Sequence, residues 1–413
     1  MKNTKKYTEA NREAWNQVMP YHKKAMDDKW DAMYSNKNFI YQKEPEIEEL
    51  KNIDIKGKRI AHLSCNNGIE LMSLKRMGAS KCVGFDISDN AIDEAKKRSA
   101  KFEIDCEFVR TDVLEISDEL YVIGLPEIPV YLLDGPVPVL FDAGFTALAH
   151  HYETGIKEIL KDRNPAYLFL THSHFDHIGA AGHFKNVWPK LQLGGSLRCH
   201  EILVKQKAIQ LIRDLNLEGT KNLKKMGIHN LNEQSFESFD LDLFIKHEQE
   251  IELSSNLTIK AFNTPGHTWD FMSYWIPEKK ILIASETVAC YHNNGYLQPE
   301  FLVDFDAYIE SLKKIRDMGA TILCAGHYAV FTDKDALKHI NASFKAATDY
   351  LTMAEGFLDQ EKGDIDRSVL RIKAVEWDKR PWPKQPESAY LLNTRQRVKT
   401  IWQRMNKPYI EEK

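Results

Sequence analysis

Short apolar runs alternate with amphipathic stretches over the first quarter of the chain. The apolar runs predict strands at 59–63, 81–86 and 106–110, and helical spacing of apolar residues predicts helices at 70–77 and 91–100. Strands that alternate with helices in this order form a parallel sheet with right-handed crossovers. The pattern therefore predicts a β-α-β-α-β half domain within residues 1–117.

From residue 118 onward the apolar runs become shorter and are separated by Gly and Pro turns. They predict strands at 120–125, 130–133, 138–141, 166–170, 257–262, 280–284 and 321–324. The stretch at 197–245 is largely polar with helical spacing, which predicts a helical insertion. Helical spacing returns after residue 333, so we expect a mixed α/β domain at 118–345 and a helical appendage at 346–413.

Composition narrows the class of protein. Of the 413 residues, 43% are hydrophobic and 28% charged, and the net charge of −4 gives no general attraction to nucleic acid or anionic membranes. The first residues lack the apolar core of a signal peptide, and no stretch reaches the roughly 20 apolar residues that span a bilayer. We therefore expect a cytoplasmic protein with no nucleic-acid or membrane partner. The six scattered cysteines predict reduced thiols.

The densest group of candidate metal ligands follows the predicted strand at 166–170. His172, His174, Asp176 and His177 stand at a spacing that an irregular turn after a strand can point at one spot. Imidazole nitrogens and carboxylate oxygens are ligands of zinc, iron and manganese. The pattern predicts a metal site at the end of a buried strand. A hydrophilic loop that happens to be rich in histidine is the alternative.

Three later residues also stand at predicted strand ends. His267 and His327 each follow a glycine, which lets the backbone turn closely and frees the imidazole to point into a shared site. Glu286 follows the predicted strand at 280–284. A single histidine in such a place is more often a core or surface residue, but all three residues at strand ends indicate one common site.

Over residues 118–345 these motifs resemble the metallo-β-lactamase fold hydrolases, with the HxHxDH signature at 172–177. The resemblance implies an αββα sandwich with two divalent metal ions in a cleft at its top edge. It implies one metal held by His172, His174 and His267, and a second held by Asp176, His177 and His327. Asp142 matches an early aspartate of that family, which organises the loops.

The bridging position between the two metals departs from that family. The family usually has aspartate there, whereas this chain has Glu286, whose extra methylene moves the carboxylate away from the strand. Glu286 is expected either as a metal ligand or as a residue that supports the ligands, and the softer Cys290 is an alternative ligand. The second metal site is then weaker, differently spaced or bridged only by solvent.

Residues 10–116 resemble the class I S-adenosylmethionine-dependent methyltransferases, whose fold is Rossmann-like. The likeness rests on Gly68 in the glycine-rich loop, Asp86 at the ribose position and Asp112 at the adenine position. Only one of the usual glycines is present, and the likeness ends near Ile116, before the later strands of that fold. It implies S-adenosylmethionine as a cofactor. The alternative is a structural or dimerising module, in which a homodimer covers the open sheet edge.

The predicted function is hydrolysis by a metal-bound hydroxide, with Asp176 as the catalytic residue that orients the hydroxide and shuttles its proton. Small esters, thioesters, lactones, amides and phosphodiesters suit this chemistry. Zinc is expected, with iron or manganese left open. Five aromatic residues near the motifs suggest an acyl or aromatic substrate, unless they are core residues: Phe175, Trp269, Phe271, Tyr291 and Tyr328.

Three other functional classes stay open. The first is an iron-dependent oxidoreductase on the same fold. The second is an S-adenosylmethionine-binding or methyltransferase protein with an accessory metal domain. The third is a binding or regulatory protein whose metal site is vestigial. Metal content separates the first from a hydrolase, and titration with the cofactor separates the second.

Overall fold

The computed structural model describes most of the chain, with gaps. The described residues are 16, 19, 29–44, 46–63, 65–86, 88–110, 114–117, 119–225, 228, 231–232, 234–291, 296–379 and 387–406. The chain divides into two compact units, Met1–Leu114 and Glu115–Lys413. Among the helices that the structure describes, none has the length and apolar character needed to cross a membrane.

The smaller unit contains a three-stranded parallel sheet. Its strands are β1 (Arg59–Leu63), β2 (Lys81–Asp86) and β3 (Glu107–Arg110), and among its helices are α1 (Glu46–Asn52), α2 (Ile69–Arg76) and α3 (Asp89–Lys101). The strands pair in the order β1-β2-β3, and α2 and α3 each connect one strand to the next. This element order agrees with the apolar pattern, while the likeness to methyltransferases stays a prediction.

The larger unit is built on two mixed sheets. The seven-stranded sheet has the order β10-β9-β8-β7-β6-β5-β4, with β4 (Leu114–Ser117), β5 (Leu120–Leu125), β6 (Ile128–Leu133), β7 (Val139–Phe141), β8 (Tyr167–Phe169), β9 (Gln192–Ser196) and β10 (Leu243–Ile245). The six-stranded sheet has the order β11-β12-β13-β14-β17-β18, with β11 (Gln249–Ser254), β12 (Leu257–Asn263), β13 (Met272–Ile276), β14 (Ile281–Ile283), β17 (Ile322–Cys324) and β18 (Val330–Thr332). A small antiparallel pair, β15 (Cys290–Tyr291) and β16 (Leu297–Gln298), lies between β14 and β17 in sequence.

The two sheets pack face to face through a continuous apolar core. Phe141 and Phe169 of the seven-stranded sheet lie against Tyr274 of the six-stranded sheet, each with ring centroids 5.5 Å apart. Because side chains alternate along a strand, Leu140 and Leu168 point to the opposite face. Both are fully buried, so the outer face of that sheet is covered as well.

Helices cover the sheets of the larger unit. In chain order they are α4 (Ala149–Leu160), α5 (Phe175–Ile178), α6 (Ala181–Val187), α7 (Leu197–Leu203), α8 (Gln206–Lys225), α9 (Phe305–Asp317), α10 (Lys334–Gln360), α11 (Ile365–Glu376) and α12 (Glu387–Met405). Leu282 and Leu323 of the six-stranded sheet share a core with Leu312, Ile340 and Ile401 of α9, α10 and α12. The C-terminal helices therefore pack on the outer face of this sheet.

The larger unit differs from the expected organisation in several places, and strands such as β9, β11, β13 and β18 were not predicted. The predicted helical insertion at 197–245 contains α7 and α8, but it ends in β10, which pairs with β9 in the seven-stranded sheet. A run of three apolar residues is too short to show strand periodicity in a polar context. The expected boundary at 345/346 falls inside α10, a helix of 27 residues that continues through it.

Candidate metal site

The HxHxDH segment begins where β8 ends. His172 lies in the turn after the strand, His174 precedes α5, and the single turn of α5 carries Asp176 and His177. Asp142 follows β7, which is the parallel neighbour of β8. Because adjacent parallel strands end at the same edge of a sheet, Asp142 and the HxHxDH segment lie side by side.

The other candidate ligands come from the facing sheet. His267, Glu286 and His327 follow β12, β14 and β17. β12 and β14 are both antiparallel to β13, and β17 is parallel to β14, so all three strands run in the same direction. Their carboxyl ends therefore meet at one edge of this sheet.

The structure brings all seven predicted metal ligands together. They form three overlapping groups whose ligand atoms lie within 4.8 Å of one another: His172, His174 and His267; Asp176, His177 and His327; and His172, His177 and Glu286. His172, His177, His267 and Glu286 are buried, whereas His174, Asp176 and His327 are half-buried and form the accessible side. Cys290 is buried and belongs to none of these groups among the described residues.

Asp142 organises the loop that carries the ligands. Its Oδ1 accepts a 2.7 Å hydrogen bond from the backbone N–H of Thr171, and both carboxylate oxygens lie within 3.0 Å of the Thr171 hydroxyl. Its Oδ2 accepts a 2.9 Å hydrogen bond from Nδ1 of His177. The buried carboxylate thus holds both the start of the loop and one ligand, as the resemblance implies for this position.

Four of the histidines share one arrangement, in which Nδ1 is bonded to the protein scaffold. Nδ1 of His267 and of His327 each donate to a backbone carbonyl, that of Glu300 and that of Glu127, at 2.5 Å. Nδ1 of His177 donates to Asp142. Nδ1 of His172 lies 3.0 Å from the Thr171 hydroxyl, and since that hydroxyl donates to Asp142, His172 is the donor.

The same hydrogen bonds turn Nε2 of these imidazoles toward the cluster, where Nε2 of His177 and of His327 faces the carboxylate of Glu286. Nε2 of His172 is buried and has no hydrogen-bond partner within the described part of the chain. His174 differs, because its Nδ1 faces the cluster at 3.1 Å from Nε2 of His267. A buried nitrogen lone pair without a donor, surrounded by further imidazole nitrogens, is the donor set that a divalent metal requires. The residues present therefore fit the metal ions that the fold implies.

The site has a neutral half, which contains His172 and His267, and a charged half, which contains Glu286 and His327. Burial lowers the pKa of His172 well below its ordinary value, and burial together with His174 lowers the pKa of His267 to about 3. These imidazoles are neutral at pH 7, the form that binds metal. Burial acts in the same direction on His327, but Glu286 and Asp176 together raise its pKa to about 9.

Glu286 is the centre of the charged half. Its Oε1 lies 2.8 Å from Nε2 of His177 and 2.7 Å from Nε2 of His327, and Oε2 accepts a 2.7 Å hydrogen bond from Ser285. Burial acts to raise the pKa of Glu286, but the adjacent imidazoles hold it well below its ordinary value. A Cβ at Gly326 would lie 2.5 Å from Oε1, so only glycine leaves room for the glutamate.

Asp270 is a residue of the site that the sequence did not indicate, whereas its neighbours Trp269 and Phe271 were among the aromatic candidates. Asp270 is buried and accepts a 2.8 Å hydrogen bond from the backbone N–H of Ser173, within the HxHxDH segment. The ring of Phe271 stacks on His172 at 4.6 Å and is almost fully buried, so it is a core residue beneath the site. Trp269 is 46% exposed and lies 5.8 Å from the guanidinium of Arg198. The proximity of Asp270 to His267 in sequence was the available clue.

The other aromatic candidates have different surroundings. Phe175 lies edge-on to Phe145, and Tyr291 lies edge-on to Phe331. Tyr328 has a φ of 64°, in the left-handed region. These contacts do not place them against a substrate.

The candidate cofactor residues of the smaller unit are described in part. Gly68 has a φ of 75°, and a Cβ there would meet the ring of Phe108 at 2.5 Å, so the start of α2 requires glycine. Asp86 accepts hydrogen bonds from the backbone N–H groups of Asn66 and Ser88 at 2.8 and 2.9 Å. Asp112 lies outside the described residues. The assignment of these residues to S-adenosylmethionine stays a prediction.

Residues 129–327 match the family model of the metallo-beta-lactamase superfamily. The chain is 27% identical over 200 residues to the beta-lactamase-like protein 2 homolog of Caenorhabditis elegans, a match that covers 48% of this chain and 54% of that protein. It is 29% identical over 202 residues to hydroxyacylglutathione hydrolase of Bartonella henselae, covering 47% and 62%. It is 24% identical over 163 residues to the atrochrysone carboxyl ACP thioesterase of Aspergillus fumigatus, covering 40% and 38%. The chain thus spans less than two thirds of each relative, and these superfamily relatives include hydrolases.

Proposed function

We propose that this chain, whose residues 129–327 form a metallo-β-lactamase superfamily domain, is a metal-dependent hydrolase. The observation that carries the proposal is the convergence of seven ligand side chains from the ends of facing sheets. Nε2 of His172 in particular is buried without a hydrogen-bond partner among the described residues. Burying such a nitrogen costs free energy unless a bound metal ion accepts its lone pair.

In this proposal His172, His174 and His267 hold one divalent ion. Asp176, His177 and His327 hold a second, and Glu286 lies between the two groups. A bound divalent metal supplies a Lewis acid and lowers the pKa of water to near neutral, so that hydrolysis needs no strong protein base. Zinc is the proposed metal, because neutral imidazoles and carboxylates are its usual ligands.

Asp176 is the proposed proton carrier. Its side chain is 18% exposed, and its Oδ2 lies 3.7 Å from Nε2 of His327. The carboxylate is therefore at the accessible side of the cluster, where it can accept a proton from an attacking water and return it to the leaving group. Asp142 and Asp270 hold the same loop from inside the protein, which fixes the position of Asp176.

We propose a small ester or thioester as the substrate, with lactones and phosphodiesters as the other members of the class. Two relatives named for a hydroxyacylglutathione hydrolase and an acyl carrier protein thioesterase support an acyl substrate. Trp269 and Arg198 support it too, because an exposed aromatic ring beside a ligand loop and a nearby cation suit an apolar acyl group and an anionic leaving group. The cytoplasmic location, the small-molecule partner and the homodimer stay predictions.

The test measures hydrolysis by protein that is stripped of metal and then reloaded with zinc, manganese or iron. Chromogenic thioesters, esters, lactones and phosphodiesters form the substrate panel. We expect metal-dependent turnover of at least one thioester or ester, and a loss of at least about 100-fold in kcat/KM for His172→Ala. His247→Ala is the matched control, because His247 is exposed and away from the cluster.

Two outcomes contradict the proposal. One is the absence of metal-dependent turnover with every substrate and every metal, although the protein is folded and loaded. The other is oxygen consumption by the iron-loaded protein without hydrolysis, which favours the oxidoreductase alternative.

A further inference from the structure

A second group of metal-ligating side chains lies outside the candidate metal site. His150 and Glu153 are on α4, and His183 is on α6. Their ligand atoms all lie within 4.8 Å of one another. His150 and Glu153 are three positions apart on a helix, so they share one face, and α6 presents His183 to that face.

The geometry of this group resembles that of the candidate metal site. Nε2 of His183 lies 2.8 Å and Nδ1 of His150 lies 3.5 Å from the same oxygen, Oε2 of Glu153. The two imidazole rings are 4.9 Å apart and almost perpendicular, at 87°. In the candidate metal site the rings of His172 and His267 are 5.0 Å apart at 82°.

Burial and charge make Glu153 an effective ligand. Its side chain is 4% exposed, whereas those of His150 and His183 are 32% and 15% exposed, so a cation can enter from solvent. Burial acts to raise the pKa of Glu153, but hydrogen bonds from His183 and Lys157 lower it to about 2. The carboxylate is therefore charged at pH 7.

His150 presents a nitrogen, Nδ1, that forms no hydrogen bond among the residues that the structure describes, although Oε2 of Glu153 lies 3.5 Å from it. Nδ1 of His150 is also buried. Burial and the neighbouring His183 lower the pKa of His150, so this imidazole is neutral at pH 7 with a lone pair available. A buried nitrogen of this kind needs a partner, and a cation beside Glu153 supplies one.

We propose that His150, Glu153 and His183 form a further binding site for a divalent transition metal such as zinc. Three protein ligands leave a fourth position for water, a common zinc coordination. Nζ of Lys157 lies 2.5 Å from Oε1 of Glu153. Oε2 faces both imidazoles and is the oxygen that would bind the metal, in place of its hydrogen bond with His183. The bound ion joins α4 to α6, which follows directly on the turn that carries Asp176 and His177. The site therefore braces the scaffold of the candidate metal site, whether or not the proposed hydrolysis is correct.

Counting metal ions tests this proposal in the full chain. Native protein and the variants His150→Gln and Glu153→Gln are loaded with zinc, freed of excess by gel filtration and analysed by mass spectrometry. We expect the native protein to retain one more zinc ion per chain than either variant. The difference does not depend on how many ions the candidate metal site holds. His150 is partly exposed, so its variant is expected to fold even where Glu153→Gln does not.

The positive charge of Lys157 gives a second prediction, in which a substitution strengthens zinc binding instead of removing it. Lys157→Met removes a positive charge beside the proposed ion, so we expect zinc affinity at this site to increase roughly tenfold or more. Zinc should also raise the melting temperature of the metal-stripped native protein more than that of His150→Gln. His200→Gln, which changes a histidine on α7 outside the group, is the matched control.

The proposal is overturned if native protein and His150→Gln retain the same number of zinc ions and show the same zinc-dependent shift in melting temperature. The group would then be a set of hydrogen bonds between two helices. Unchanged zinc affinity in Lys157→Met also contradicts it. A failure of hydrolysis in the substrate panel leaves these measurements unaffected.

Discussion

At the scale of single residues, the side chain of Glu286 depends on the space that Gly326 leaves. Glutamate is one methylene longer than the aspartate usual at this position in the family that the chain resembles. Its carboxylate is held by His177, His327 and Ser285, so it cannot move aside easily. A Cβ at position 326 would meet Oε1 at 2.5 Å and Cδ at 2.7 Å.

We therefore predict that Gly326→Ala lowers zinc affinity and stability only when residue 286 is glutamate. The added methyl displaces the longer carboxylate, so zinc affinity and the free energy of unfolding both decrease. In the Glu286→Asp background the same substitution should have little effect. The double-mutant cycle, measured by urea unfolding of metal-stripped protein and by zinc titration, should give a coupling energy on the order of 1 kcal/mol or more.

Gly356→Ala is the control for this cycle, because a Cβ at that helical position meets nothing within 4 Å. It should be neutral or slightly stabilising. Additive effects of the Gly326 and Glu286 substitutions would show that the two residues do not share the space.

Because His339 is buried, we predict that the stability of the folded protein depends on pH in a defined range. This histidine is buried on α10, where its Nε2 donates to the carbonyl of Ala289 at 2.9 Å and its ring stacks on Phe331 at 3.9 Å. Burial lowers the pKa of His339 to about 4. The unfolded chain takes up this proton near pH 6.5, before the folded protein does. Stability from this residue is thus fully present above pH 6.5, and falls as the pH is lowered toward 4.

His339→Gln keeps an N–H donor but does not titrate. Between pH 6.5 and pH 4 the native protein should lose at most about 3 kcal/mol more stability than the variant. Urea unfolding of metal-stripped protein at several pH values measures the difference. His247→Gln, at an exposed position, is the control and should follow the native curve. Parallel curves for native protein and His339→Gln would contradict the prediction.

At the scale of elements, α12 supports a ligand loop. Arg397 is fully buried, pairs with Glu376 at 3.1 Å and donates to the carbonyl of Pro299 at 3.2 Å. The next residue is Glu300, whose carbonyl accepts the hydrogen bond from His267. The C-terminal helix thus holds the segment that orients one candidate metal ligand.

We predict that Arg397→Met lowers the free energy of unfolding by about 3–5 kcal/mol, because it leaves the carboxylate of Glu376 buried without its partner. Zinc affinity should fall as well, because the variant loses the hydrogen bond to Pro299, and Pro299 precedes Glu300, whose carbonyl orients His267. Arg395→Ala on the same helix is the matched control. Its ion pair with Asp366 is exposed, so the loss should be about 0–1 kcal/mol. Equal losses for the two variants would contradict this role.

Only part of the element positions followed from local pattern, and β9, β11 and β13 were not predicted although each has five or six residues. The strands that end at the ligand loops lie where apolar runs predicted them, because a buried strand needs a continuous run of apolar side chains. β10 was missed, since its three residues sit in a polar stretch. The expected domain boundary at 345/346 stays a prediction, and the structure shows that α10 continues through it.

At the scale of the whole molecule, the larger unit is one body in which two sheets and the C-terminal helices share buried cores. The metal site depends on this assembly, since one sheet supplies the HxHxDH loop and the other supplies His267, Glu286 and His327. The match of residues 129–327 to the family model of the metallo-beta-lactamase superfamily agrees with the resemblance inferred for the same region.

By itself, the sequence determined the strands that end at the ligand loops, the HxHxDH motif and the later candidates His267, Glu286 and His327. These follow from periodicity and spacing over a few neighbouring residues. Only the tertiary structure decided which side chains meet. The contact of Gly326 with Glu286 and the group of His150, Glu153 and His183 join residues about 30 to 40 positions apart in sequence. Such contacts depend on how sheets and helices pack, and no local pattern encodes them.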